Sequence, residues 1–229
     1  MYVLHYAPDN ASVIVRLALE EAGLPYHTAL VDRAGAAQNS ASYRALNPAG
    51  LIPTLETPDG PIFETGAIVL WLADRHPNSG LAPHPDSPDR AAFLKWLFFL
   101  SNTAHADLRQ VFYPDRYVPP KATAGHHRLL TDRLKRHFAL LDAAAQADPA
   151  LFAPPSALGL YVATLLRWCA LYPKGGTDWF CLADTPTLAQ LAASLDARPA
   201  TRRVAKAEGL GPAPFADPTY ARPPEGSAT

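Results

Sequence analysis

The chain has 229 residues, of which 48% are hydrophobic and 18% are charged. This composition supplies a sizeable apolar core and excludes a mainly disordered chain. With 20 basic against 21 acidic residues, the near-neutral balance argues against a strongly electrostatic nucleic-acid or membrane binder. The two cysteines, Cys169 and Cys181, make neither a disulfide framework nor a zinc site.

The N-terminus lacks the basic stretch and the long apolar run of a signal peptide. No apolar run approaches the roughly 18 residues of a membrane-spanning helix. We therefore predict a cytoplasmic protein that acts on neither membranes nor nucleic acid. Charge is uneven along the chain, because residues 1–78 carry 4 basic and 8 acidic side chains whereas the rest carries 16 and 13.

Alternating apolar residues and turn residues in the first 78 positions predict a small sheet packed against helices. Strands are expected at 2–6, 26–31, 54–57 and 61–63, and helices at 11–23, at about 42–46 and after residue 64. The first strand, helix and strand follow closely enough to form a βαβ unit. The turn at Pro58-Asp59-Gly60 joins the last two strands into a hairpin. We expect four strands with one antiparallel pair, the hairpin.

Residues 79–88 contain three prolines and a glycine, which predicts a linker. Beyond it, apolar residues recur at helical spacing up to the end of the chain, so residues 89–229 are predicted to be helical. The expected helices span 89–112, 156–171, 187–195 and 199–208, with another around Leu130 to Leu141. The proline-rich tail from Gly209 onward is expected to be irregular and to lie on the surface.

Two motifs stand close together in the first half of the chain. The pattern Asn47-Pro48-x-Gly50-x-Ile52-Pro53-x-Leu55 is followed by Phe63-Glu64-Thr65-x-Ala67-Ile68-x-x-Trp71-Leu72. With the segments at 18–26, 156–168 and 198–210, they resemble the glutathione transferases, and the resemblance covers the entire chain. It implies a thioredoxin-like α/β domain over residues 1–78 that binds glutathione, the linker at 79–88, and an all-helical domain over 89–229 with a second-substrate pocket.

The resemblance also implies where glutathione binds. In the family, the proline that matches Pro53 is cis, so Ile52 offers its N–H and C=O groups to the tripeptide like an added strand. Thr65 stands at a helix N-terminus, where hydroxyl and N–H groups hold a carboxylate, and Glu64 can meet an ammonium. Gln38, in the preceding loop, can reach the glycine carboxylate. Taken singly, these residues have plain alternatives as a turn proline, a helix cap or a solvated loop residue.

The group that activates the glutathione thiol remains open between three donors. The family places a hydrogen-bond donor to the thiolate near the first strand and helix. The cysteine of some bacterial members falls at Ala11, so that chemistry is absent here. Ser12 is narrowly favoured over Asn10 and Tyr6. Their structural alternatives are a helix cap, a turn residue and a core tyrosine.

Three residues of the helical region are candidates for the second-substrate pocket: His105, Phe112 and Tyr113. His105 matches a position that faces the cleft in bacterial relatives, and the two aromatic residues stand near the same helix end. Ordinary packing is the alternative for all three. No metal is expected, because His126-His127 lacks acidic or cysteine neighbours in ligand spacing.

We therefore predict a homodimeric transferase of detoxification that uses glutathione as co-substrate and attacks a small apolar electrophile. Leu51 stands where many relatives carry Gln or Lys to contact the tripeptide. Together with the absent cysteine, it favours a second hypothesis, a non-catalytic ligand-binding or scaffold protein of the same fold. A third hypothesis keeps an enzyme but makes it a glutathione-dependent disulfide reductase or peroxidase.

Overall fold

A four-stranded mixed sheet forms the first part of the molecule, in a computed structural model that describes residues 1–228. Its strands are β1 (Tyr2–Tyr6), β2 (Tyr26–Leu30), β3 (Thr54–Thr57) and β4 (Gly60–Phe63). They lie in the order β2-β1-β3-β4. Only β1 and β2 are parallel, since β3 runs antiparallel to both β1 and β4. The expected single antiparallel pair is thus wrong, because a hairpin motif does not show which way β3 runs against β1.

Helices cover both faces of this sheet. They are α1 (Ser12–Glu21), α2 (Ala41–Leu46) and α3 (Thr65–Arg75). The alternation of β1 buries Tyr2, Leu4 and Tyr6 in the apolar core with α1 and α3. His5 points the other way and meets the ring of Tyr43 on α2, with ring centroids 5.8 Å apart. The period-2 pattern of a strand therefore assigns α2 to the opposite face.

The rest of the chain is helical, as predicted. Its helices are α4 (Arg90–Phe99), α5 (His105–Phe112), α6 (Thr123–Ala147), α7 (Pro149–Phe152), α8 (Ala157–Leu171), α9 (Pro186–Asp196) and α10 (Pro199–Glu208). The long helix expected over 89–112 contains a π-helical turn at Leu100–Ala104, which separates α4 from α5. Such turns insert a residue into a helix and are frequent at functional sites. α8 is buried along almost its whole length.

The helical part packs directly on the sheet part, since α8 and α10 both contact α1. One cluster of buried apolar side chains runs through both parts, and the boundaries at 78 and 89 remain a prediction.

The tail after Gly209 is irregular, as expected, but it does not lie wholly on the surface. Phe215 is only 1% exposed, and its N–H donates to the Asp196 carboxylate at 3.0 Å. Among residues 1–228, no helix combines the length and apolarity that crossing a membrane requires.

Candidate functional site

One edge of the sheet brings the candidate segments together. Tyr6 pairs with Leu30, His5 pairs with Thr54, and Thr54 also pairs with Phe63. The ends of β1, β2 and β4 and the start of β3 therefore lie side by side. The segments that leave or enter this edge are residues 7–11, 31–36, 47–53 and 64–65. Every residue proposed for glutathione binding belongs to these segments, except Gln38.

The 47–53 loop is held from α2 and from within. The Tyr43 hydroxyl and the Asn47 amide each donate to the Leu51 carbonyl at 2.7 Å. Gly50 has φ +63°, and a Cβ there would lie 3.0 Å from the Gln38 carbonyl oxygen. The motif glycine is thus needed both for its positive φ and for this close approach. The same contact places Gln38 beside the loop, and its buried Oε1 has no hydrogen-bond partner among the described residues.

The Ile52–Pro53 peptide bond is cis, as the resemblance implies. Pro53 is buried and Ile52 is half-buried. The pairing of β3 with its neighbours begins only at Thr54. The sheet therefore does not use the N–H and C=O groups of Ile52, which lie at its edge.

The N-terminus of α3 stands directly beside this edge. Glu64 is exposed and has φ +70°, and it makes no side-chain cap on the helix. Thr65 is buried as the first helical residue. Gly66 lies against the π-helical turn, since a Cβ on it would be 3.1 Å from the Cβ of Ser101. An uncapped first turn presents free N–H groups and the positive end of the helix dipole to an anion.

Ser12 and Asn10 occupy different environments at the start of α1. Ser12 is fully buried, and its hydroxyl donates to the Ala7 carbonyl at 3.0 Å and accepts from the Ala7 N–H at 3.3 Å. The Ser12 hydroxyl thus uses both its donor and its acceptor function to hold the loop between Ala7 and Ser12 closed. Asn10 is half-buried, and its Oδ1 accepts from the Ala11 N–H at 2.7 Å. Its Nδ2 keeps two N–H donors with no partner in the part of the chain that the structure describes.

Tyr6 is buried at the end of β1, and its hydroxyl donates to the Glu225 carboxylate at 2.5 Å. The Arg16 guanidinium lies over its ring, 5.3 Å from the centroid. Burial, with the hydrogen bond and charge of Glu225, raises the pKa of the Tyr6 phenol above its ordinary value. The Tyr6 hydroxyl therefore stays protonated and donates its hydrogen bond to Glu225 in the tail.

Asp9 is a site residue that the sequence reasoning missed. Its buried carboxylate receives Arg167 Nε at 2.9 Å, Trp168 Nε1 at 3.0 Å and the Tyr172 hydroxyl at 2.8 Å. A sequence signal existed, because Arg167 is the only charged residue of the apolar helix α8. A guanidinium in such a helix needs a buried acceptor.

Two of the three predicted second-substrate residues, His105 and Phe112, lie beside Trp168. His105 Nδ1 is 2.9 Å from the Tyr161 hydroxyl, and its ring is 5.5 Å from that of Trp168. Burial, helped by the charge of Arg109, lowers the pKa of His105 to about 4, so its imidazole is neutral at pH 7. The Phe112 ring meets the edge of Trp168 at 6.5 Å.

Tyr113 ties the end of α5 to the sheet edge. Its hydroxyl accepts from the Arg33 guanidinium at 3.0 Å, and Arg33 also donates to the Ala228 carbonyl at 2.8 Å. The rings of Phe112 and Tyr113 are 6.5 Å apart. The structure thus brings His105 and Phe112 together through Trp168, and Tyr113 joins them through Phe112.

Over residues 1–228, no three His, Cys, Asp or Glu side chains are grouped as metal ligands would be.

Comparison with known proteins identifies this arrangement. Residues 11–75 match the family model described as "Glutathione S-transferase, N-terminal domain". Glutathione S-transferase GST-4.5 of Xanthomonas campestris pv. campestris is 26% identical over 177 residues, which is 76% of this chain and 84% of that protein. Disulfide-bond oxidoreductase YfcG of Escherichia coli is 34% identical over 106 residues, which is 43% of this chain and 48% of that protein.

A solved structure extends the match to the helical part. The sphingomonad glutathione S-transferase complexed with glutathione is 27% identical and has a TM-score of 0.74, covering 91% of this chain and 100% of that one. The fold is accordingly a thioredoxin-like sheet region followed by an all-helical region, as the sequence predicted. Residues 11–75 are therefore a glutathione S-transferase N-terminal domain, and the chain as a whole shares the fold of the glutathione transferases.

Proposed function

We propose that this protein binds glutathione at the sheet edge and activates its thiol for attack on a small apolar electrophile. The observation that carries the proposal is the register, in which Thr54 pairs with Phe63. This pairing sets the unpaired peptide groups of Ile52 next to the uncapped N-terminus of α3. The backbone of a tripeptide with a γ-glutamyl end can pair with the Ile52 peptide groups. Its γ-glutamyl carboxylate can accept from the N–H groups at the start of α3.

The γ-glutamyl group fits the start of α3. Its α-carboxylate would accept from the first N–H groups of the helix and from the Thr65 hydroxyl, and its ammonium would face the Glu64 carboxylate. These donors are local, and they are needed because residues 1–78 carry an excess of negative charge. At the other end of the tripeptide, Gln38 lies beside the 47–53 loop, where its side-chain NH₂ would donate to the glycine carboxylate.

Asn10 is the donor that we propose for the thiolate. Its Nδ2 is a side-chain donor without a partner among residues 1–228, whereas the hydroxyls of Ser12 and Tyr6 already donate to Ala7 and Glu225. A hydrogen bond to the thiolate favours the charged form and lowers the thiol pKa. The thiol proton leaves to solvent, the thiolate forms a carbon–sulfur bond, and the leaving group departs with its electron pair. His105, Phe112 and Tyr113 are proposed to line the pocket that holds the electrophile.

Binding is tested by calorimetry with glutathione and matched threonine variants. Thr65→Val should weaken glutathione binding roughly tenfold, because a hydroxyl donor to a carboxylate is lost. Thr28→Val, at an exposed position in the middle of β2, should leave the affinity unchanged. Wild-type protein that binds no glutathione would contradict the proposal and favour the scaffold hypothesis.

Activity is tested with an activated aryl chloride as electrophile. Asn10→Ala should lower turnover and raise the pKa of the bound thiol, whereas Ser12→Ala should chiefly lower stability, because its hydroxyl bonds only Ala7. A thiol pKa raised by Ser12→Ala and unchanged by Asn10→Ala would reverse the assignment.

A glutathione-dependent disulfide reductase is the second candidate. It is favoured by the similarity to a relative named as a disulfide-bond oxidoreductase. The same thiolate would attack a disulfide sulfur, displace one thiolate, and leave a mixed disulfide that a second glutathione resolves. Turnover of a small disulfide without turnover of the aryl chloride would establish this function instead.

We also propose that the protein is a cytoplasmic homodimer acting in detoxification. The support is a set of apolar side chains on the outside of one chain, with Phe98 52% exposed and Leu51 and Phe63 each 38% exposed. Contact between two copies of the chain would remove these apolar side chains from water. Phe98→Ser should shift the mass measured by light scattering from dimer to monomer.

A further inference from the structure

Asp9 receives an unusually complete set of hydrogen bonds for a loop residue. It has φ +50°, and its side chain is fully buried. Arg167 Nε and Trp168 Nε1 donate to Oδ1, while an Arg167 terminal nitrogen and the Tyr172 hydroxyl donate to Oδ2, all at 2.8–3.0 Å. Its backbone N–H donates to Glu208 at 3.0 Å. Every acceptor position of the carboxylate is therefore filled from the helical part.

The guanidinium of Arg167 also has a complete set of hydrogen-bond partners. Its two terminal nitrogens donate to the Leu210, Pro214 and Thr219 carbonyls at 2.9–3.2 Å, in addition to the bonds with Asp9. All five N–H groups of the guanidinium thus have acceptors. A buried ion pair stabilises a fold little more than apolar residues of similar volume, because both charges must be desolvated. What the pair does provide is a defined geometry between the loop, α8 and the tail.

The residue that follows Asp9 is the proposed thiolate donor. Asn10 has its Oδ1 fixed by the Ala11 N–H at 2.7 Å, which leaves Nδ2 to point away from that bond. Its carbonyl accepts from the Val13 N–H at 2.8 Å as the first helical turn begins. The orientation of Nδ2 is therefore set by the backbone on either side, and Asp9 fixes the backbone on the N-terminal side.

We propose that Asp9, Arg167, Trp168 and Tyr172 form a clamp by which the helical part positions Asn10 against the glutathione sulfur. This inference rests on the proposed function. The four are positioning residues, because they act through Asn10 and touch no substrate atom. The clamp also adjoins the second-substrate candidates, since Phe112 packs on both Trp168 and Tyr172. The electrophile pocket and the thiolate donor therefore share one set of supporting side chains.

The clamp is tested by removing one hydroxyl. Tyr172→Phe keeps the ring contacts and deletes only the donor to Asp9. Tyr220→Phe is the matched control, because the Tyr220 ring meets that of Tyr172 edge to face at 5.7 Å but its hydroxyl has no hydrogen bond among the described residues. The readout is the ultraviolet absorbance of the bound glutathione thiolate as a function of pH. Tyr172→Phe should reduce the thiolate population roughly three- to tenfold at a pH below the thiol pKa, and Tyr220→Phe should not.

A double-mutant cycle separates positioning from general stability. If the clamp acts through Asn10, Tyr172→Phe should not change the thiol pKa further in an Asn10→Ala background. Additive changes would overturn the proposal. A lowered melting temperature with an unchanged thiol pKa in Tyr172→Phe would also overturn it, because the contact would then be structural only.

Hydrogen–deuterium exchange distinguishes failure of the clamp from failure of the proposed function. Measured without glutathione, the amides of residues 11–14 should exchange several-fold faster in Tyr172→Phe than in Tyr220→Phe. A wild-type protein without a thiolate band contradicts the proposed function, and exchange alone then decides whether the clamp holds the loop. Equal exchange in the two variants means that it does not.

Discussion

The two sides of the proposed glutathione site are held in place by different parts of the chain. The 47–53 loop is anchored by Tyr43 and Asn47, which lie within eight residues of Leu51, the residue whose carbonyl they bind. The 7–12 loop is anchored through Asp9 by Arg167, which is 158 residues away. The first anchor is local in sequence, whereas the Asp9 anchor forms only when the helical part has docked.

This difference separates binding from activation. The groups proposed to bind the tripeptide backbone and its γ-glutamyl end belong to the sheet part. The proposed thiolate donor depends on side chains from α8 and on the carbonyls of the tail. Changes in the helical part should therefore alter thiol activation and folding more than affinity for glutathione, and changes in the 47–53 loop should do the reverse.

The largest effect is expected at the long-range anchor. Arg167→Met leaves the Asp9 carboxylate buried without its cationic partner, which should lower the free energy of unfolding by about 3–5 kcal/mol. Arg203→Met is the control, because Arg203 is 56% exposed and pairs with Glu20 at 2.5 Å, and such surface pairs contribute little to stability. Chemical denaturation measures both. Similar losses would mean that the Asp9 pair is no more important than a surface pair.

Stability should depend on pH through groups on the same long-range side. Burial raises the pKa of Glu208 from 4.5 to about 7. The folded state then keeps a proton that the unfolded state has lost, so the contribution of Glu208 falls as pH rises from 4.5 to 7. Glu208→Gln should remove this decline, so its stability relative to wild type should rise over this range by on the order of 3 kcal/mol.

His105 should act with the opposite sign. Its folded pKa of about 4 lies below the ordinary 6.5. Protonation therefore favours the unfolded state as pH falls from 6.5 to 4, and His105→Gln should gain stability relative to wild type over that range. Unfolding followed at several pH values measures both variants. Parallel pH profiles for wild type, Glu208→Gln and His105→Gln would contradict both expectations.

A smaller effect is expected at the local anchor. Gly50→Ala should cost about 1–2 kcal/mol for the left-handed backbone, with a further cost because its Cβ would lie 3.0 Å from the Gln38 carbonyl. Gly23→Ala has nearly the same φ, +64°, with nothing within 4 Å of the new Cβ, so it isolates the backbone cost. Only Gly50→Ala should weaken glutathione binding, as measured by calorimetry. Equal affinities in the two variants would show that the 47–53 loop does not contribute to binding.

The smallest effect is expected at Tyr6. Because its hydroxyl donates to Glu225, Tyr6→Phe should leave the thiol pKa unchanged and cost about 1 kcal/mol of stability. Thiolate absorbance and thermal unfolding measure the two quantities. A clearly raised thiol pKa would move the donor role from Asn10 to Tyr6.

Much of the fold was predictable because its signals are local. The first strand has the predicted bounds, and the structure begins α1 at Ser12, one residue after the predicted start. Period-2 and period-3.6 patterns report which face of an element is buried, and turn residues report where it ends. The cis bond at Pro53 was implied by the resemblance to the glutathione transferases, which rests partly on the motif around it. The assignments of glutathione-binding and second-substrate residues stay predictions until a ligand is measured.

The direction of β3 against β1 and the role of Asp9 were not predictable in this way. Both depend on contacts between segments that are far apart in sequence, and a single pattern carries no information on such pairing. Arg167 in an apolar helix indicated that a buried acceptor exists. It did not indicate which acidic residue supplies it, since the chain has 21 acidic residues.

The amino-acid sequence by itself determined the class of fold, the succession of elements and the proline motif at the sheet edge, because each arises from side chains a few residues apart. The tertiary structure alone decided that Ser12 is turned inward, that Tyr6 is bonded to the tail, and that Asn10 keeps a free donor next to a clamped aspartate. Those outcomes depend on which polar groups meet when α8, α10 and the tail close over the sheet, and a buried polar group takes whatever partner that packing supplies.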